Sequence, residues 1–71
     1  MKNKTVFKNI EGERAKLGMT QLEFANLIGI KTVPTYVSRI RKGGWTLEEL
    51  KLLRQNVNED LNYLLEHYEE V

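Results

Sequence analysis

The stretch from Thr20 to Ile30, Thr-Gln-Leu-Glu-Phe-Ala-Asn-Leu-Ile-Gly-Ile, constrains this chain more than any other. Thr20 can accept a hydrogen bond from the amide of Glu23, and Glu23 can reach back to the amide of Thr20. That reciprocal pairing is a strong helix start. Met19 and Phe24 stand where an apolar pair packs across such a start. Phe24, Ala25 and Ile28 then share one helical face, with the small Ala25 where a crossing helix must come close. Gly29 can take the left-handed backbone that ends a helix sharply. A segment with so firm a start and stop is committed to a short helix followed by a tight turn.

A second short helix is expected beyond the turn, over about residues 33–42. Thr32 is the expected cap. Pro34 falls in the first turn, where a missing amide donor costs nothing. Val33, Val37 and Ile40 are predicted to face inward. Thr35, Ser38, Arg39 and Lys42 then face outward, with Tyr36 on a flank. Gly43-Gly44 ends it. Two short helices joined in this way are the sequence form of a helix-turn-helix.

Three further helices complete an all-α reading. One runs from about Val6 to Lys16, with Val6, Phe7, Ile10 and Leu17 on one stripe, Arg14 on the same side and Gly18 at its end. Another runs from about Leu47 to Gln55, opened by a Thr46/Glu49 pair and a Trp45/Leu50 contact. Its core positions are Leu47, Leu50 and Leu53 or Leu52. The last is expected to be capped by Asn58, with Glu59 and Asp60 in its first turn and a stripe of Leu61, Leu64, Leu65 and Tyr68. No apolar alternation is long enough for a strand. Residues 1–71 read as one domain, with 1–5 as a disordered arm and 69–71 as a frayed end.

Composition narrows the function classes. There is no cysteine, which removes disulfides and thiolate metal sites and fits a cytoplasmic setting. No run of 18 apolar residues occurs, and no apolar stretch follows the basic Met1–Thr5, so neither a membrane span nor a signal peptide is expected. An enzyme is not expected. The single serine, aspartate and histidine (Ser38, Asp60 and His67) lie far apart in the chain, and no Gly-rich elbow surrounds Ser38. His67 beside Glu66, Glu69 and Glu70 lacks a second histidine, so no metal or other cofactor is expected. The net charge of +1 hides an asymmetry. Residues 1–42 hold nine Lys/Arg against three acids, whereas residues 43–71 hold two against seven. A polyanion would meet the N-terminal part.

Arg14, Gly18-Met19-Thr20-Gln21, Ala25, Gly29-Ile30, Val37-Ser38-Arg39-Ile40 and Gly43 form one spaced pattern. With Val57–Leu65 as a last helix, the segment from Ile10 to about Leu65 resembles the Cro and lambda-repressor-like helix-turn-helix family. The resemblance implies a compact five-helix, commonly dimeric domain. It also implies that Gln21 contacts the DNA backbone and that the helix over 33–42 lies in the major groove. Three departures stand out. Val37 lies eight residues after Gly29, two more than the family usually has, which predicts about two extra residues within Lys31–Tyr36. Where the family has an acid pairing with the first-helix arginine, this chain has Arg41, so Glu13 is expected to supply the acid. Trp45 occupies a linker that is usually polar.

On this reading Arg39 can pair with guanine O6 and N7, while Thr35, Tyr36 and Ser38 meet bases or phosphates. Lys31 and Thr32 contact DNA at the helix entrance, Gln21 holds a phosphate, and Lys42 and Arg41 add sequence-independent attraction. The function implied is a sequence-specific transcriptional regulator of a bacteriophage or mobile-element switch. It would act on operator DNA in a bacterial cytoplasm, with a homodimer as an expected form. A second reading uses the same surface, through Val33, Pro34, Tyr36 and Arg39, to bind a partner repressor and modulate it.

Overall fold

The computed structural model describes residues 6–66. They form five α-helices: α1 Lys8–Lys16, α2 Gln21–Leu27, α3 Val33–Lys42, α4 Leu47–Asn56 and α5 Leu61–Leu64. No strand occurs among the described residues. The expected arm at 1–5, the frayed end at 69–71, and His67 and Tyr68 lie outside the described residues.

Local chemistry explains the helix starts. Thr20 Oγ1 accepts from the Glu23 amide at 3.1 Å, and Glu23 Oε1 accepts from the Thr20 amide at 2.8 Å. Thr46 and Glu49 repeat this at 3.1 and 3.0 Å. Each satisfies two amides that a helix start leaves orphaned. Thr32 caps α3 through the Thr35 amide. After α2 the chain turns at Gly29, whose φ of 88° disfavours any side chain. A Cβ there would lie 3.0 Å from the Leu52 side chain of α4, so the turn also lets α4 approach closely.

All five helices feed one apolar cluster, including Ile10, Phe24 with Ala25, Tyr36, Leu53 and Leu64. Burying each large side chain contributes roughly 1.5–3 kcal/mol. Phe24 and Tyr36 meet edge to face with ring centroids 5.9 Å apart, which joins α2 to α3. Trp45 is half-buried and meets Phe7 edge to face at 5.9 Å.

Several expectations need correction. α1 begins at Lys8 rather than Val6, because the amides of Val6 and Phe7 both donate to the Ile40 carbonyl at 2.9 Å. Leu17 follows the last turn of α1 and is half exposed. Leu47 is 75% exposed. At about 100° per residue it lies far around α4 from the buried Leu53, so both cannot face inward. Asn58 is exposed and caps nothing; α5 starts after Asp60, because Val57 is buried with an extended backbone and carries the chain off first.

The largest correction concerns α3. Its buried residues are Tyr36 and Ile40, while Val33 and Val37 are only partly covered. The helix is rotated by roughly 50°, half of one residue step, from the predicted face. Tyr36 is fully buried rather than on a flank. It is the first buried residue of α3 and lies seven positions after Gly29, where Val37, eight positions after it, was expected.

Candidate nucleic-acid interface

Two polar clamps set the orientation of α3. The first centres on Glu11 of α1. Arg14 reaches its carboxylate at 3.0 Å, and the Tyr36 hydroxyl donates to it at 2.6 Å. Arg14 also donates to the Met19 carbonyl at 2.6 Å, tying the clamp to the start of α2. Burial alone would raise the Glu11 pKa. Hydrogen bonds from Arg14 and Tyr36 and the charge of Arg14 outweigh it, with a smaller pull from Gln21, and hold the carboxyl below its ordinary range. The Tyr36 hydroxyl is pushed well up, first by burial and then by donating to Glu11, so it stays a donor. The acid paired with Arg14 is therefore Glu11. Glu13, expected in that role, is buried and pairs with Lys16 at 3.0 Å, and among the described residues no hydrogen bond or ion pair joins it to Arg14 or Arg41.

The second clamp joins α3 to α4. Arg39 Nε and Nη2 donate to the two carboxylate oxygens of Glu49 at 2.8 and 3.1 Å. This two-point geometry is the strong form of the ion pair. Glu49 Oε1 also accepts the Thr46 amide, so the capping acid of α4 holds α3 as well. Burial would raise its pKa, but Arg39 and the Thr46 amide pull the carboxyl below its ordinary range. Arg39 is thus three-quarters covered and occupied by α4. Two of its guanidinium nitrogens, Nε and Nη2, are held by Glu49 rather than offered to a guanine.

With Tyr36 and Arg39 drawn inward, α3 exposes a different set. Val33, Pro34, Val37, Ser38, Arg41 and Lys42 line a shallow groove of about 380 Å³. Its first half is apolar and its end is cationic. Among the expected contact residues, Ser38 and Lys42 belong to this groove. So do Val33 and Pro34, expected at a protein interface. Lys31, Thr32 and Thr35 are exposed at the helix entrance, where the Thr32 hydroxyl donates to that of Thr35 at 3.0 Å. Gln21 is the partly buried first residue of α2.

From Phe24 to Leu47 the chain carries no carboxylate, yet it holds Lys31, Arg39, Arg41 and Lys42. Only Arg39 of these is neutralised by a described ion pair. The surface is therefore suited to a polyanion. Sequence reasoning missed Val37 as a partly exposed groove residue, and missed Glu11 and Glu49 as the acids that orient α3. The Glu11/Arg14 spacing was a usable signal, since residues three apart on a helix are neighbours. Nothing in the local pattern marked Glu49 as a partner for Arg39.

A different shallow groove, about 300 Å³, lies on the other side of α4 between Leu47, Leu50, Lys51, Arg54, Gln55 and Leu61. Among the described residues no group of His, Cys, Asp or Glu could hold a metal ion, and no helix is long and apolar enough to cross a membrane. No family model, curated protein or solved structure matches the chain.

Proposed function

We propose that the protein is a DNA-binding transcriptional regulator in which α2, the Gly29 turn and α3 act as a helix-turn-helix. Its setting would be a bacteriophage or mobile-element switch, as the resemblance to Cro and lambda-repressor-like proteins implies. The observation that carries this reading is the exposed face of α3, with Arg41 and Lys42 on its groove and no carboxylate between Phe24 and Leu47. α3 enters the major groove. Lys31, Arg41 and Lys42 neutralise phosphates, and Gln21 with the start of α2 meets the backbone. Arg39 positions α3 through Glu49 and does not read a base.

Three phosphate contacts predict a log–log salt slope of roughly −2.7 for each copy bound. Binding of the purified protein to a random duplex pool, followed across a salt series, tests this. Enrichment of one sequence with a steep slope is the expected result. A second reading is favoured by the apolar half of the groove, at Val33, Pro34 and Val37. There the protein docks on a partner repressor and modulates it. No duplex binding by the protein alone, with a stable complex formed with the repressor encoded beside it, would replace the first reading with the second.

A further inference from the structure

We propose that the first half of α3 reads thymine through its 5-methyl group, and that the recognised site is built on A·T pairs. This rests on the DNA reading above.

The argument is one of chemistry by position. In helix-turn-helix docking the N-terminal part of the second helix meets the base edges. Four side-chain chemistries distinguish bases in the major groove: Arg or Lys on guanine, Asn or Gln on adenine, Asp or Glu on cytosine, and apolar groups, the threonine methyl included, on the thymine methyl; Ser and Thr hydroxyls serve several bases. The first half of α3 is Val33-Pro34-Thr35-Tyr36-Val37. It holds no Arg, Lys, Asn, Gln, Asp or Glu. Tyr36 is buried, and its hydroxyl is given to Glu11. Arg39, the next long donor, has Nε and Nη2 spent on Glu49. Val33, Pro34 and Val37 remain and form the apolar half of the groove, with Thr35 exposed beside them and its hydroxyl accepting from Thr32 at 3.0 Å. Arg41 and Lys42 continue that groove at the other end of the helix, where they suit phosphates. An apolar surface flanked by cations fits a row of thymine methyls between phosphates.

The test uses the wild-type protein and a duplex selected from a random pool. Each thymine of that site is then replaced by uracil, which keeps the pairing and removes only the methyl group. The expected result is a thymine-rich site in which uracil at the contacted positions weakens binding about fourfold each, the worth of one buried methyl. Val37→Ala is expected to reduce the preference for thymine over uracil at one of those positions while leaving the response at the others. A selected site whose affinity is indifferent to uracil throughout would overturn the methyl reading and leave the DNA reading standing. Failure to bind any duplex at low salt would overturn both.

Discussion

α2 and α3 are neighbours in the chain, yet they are held by different kinds of interaction. α2 is defined by its own residues: the Thr20/Glu23 box starts it, Gly29 ends it, and Phe24, Ala25 and Ile28 form its buried face. α3 has a local cap in Thr32, but its rotation answers to two acids on other helices. Glu11 of α1 holds Tyr36, and Glu49 of α4 holds Arg39. The contrast teaches that the surface α3 presents is set from outside α3. A change on α1 or α4 can therefore alter what α3 offers to a partner.

The largest expected effect tests that rotation. Tyr36→Ala removes a fully buried ring and should destabilise the fold by about 3–5 kcal/mol, measured by chemical denaturation. Val37→Ala, on the partly exposed side, should cost under about 1 kcal/mol. Comparable losses for the two would mean that both residues are core, and would break the comparison. Next, Arg39→Ala should cost about 1–3 kcal/mol, between the values for exposed and buried ion pairs, because Glu49 loses its charged partner. On the α2 side, Gly29→Ala should cost about 1–2 kcal/mol from the left-handed backbone alone, before any contact with Leu52.

The smallest effect is in the pH dependence. Glu11 and Glu49 both have folded pKa values below the ordinary 4.5. Their contribution to stability is complete above that value and is lost as pH falls through the folded pKa values. The acid limb of a stability–pH profile should therefore steepen below pH 4.5. It should flatten in Glu11→Gln/Glu49→Gln, which keeps the side-chain shape but has no carboxyl to titrate. An unchanged acid limb in that variant would show that the clamps do not couple to folding.

How much of this was legible in the sequence follows the same division. Both capping boxes, the Gly29 turn and the inward Phe24, Ala25 and Ile28 were readable, because each depends on residues a few positions apart. The face of α3 was not. Val33, Val37 and Ile40 make as good an apolar stripe as Tyr36 with Ile40 does, and periodicity cannot choose between them. The choice falls to the Tyr36 ring against Phe24 and its hydroxyl on Glu11, which are contacts across 12 and 25 residues of chain. The Arg39–Glu49 pair was not legible for the same reason, since the partner lies ten residues away on the next helix. Leu47 shows the opposite error, a leucine counted as core that the rotation of α4 leaves outside.

The division of labour on α3 is most directly tested by comparing the salt dependence of duplex binding for Arg41→Ala/Lys42→Ala and for Arg39→Ala. The double variant should keep the wild-type melting temperature, bind more weakly, and lose roughly two units of log–log slope. Arg39→Ala should lower the melting temperature yet keep the wild-type slope under conditions where it is folded. The reverse pattern, with an intact slope in the double variant and a reduced one in Arg39→Ala, would contradict the assignment.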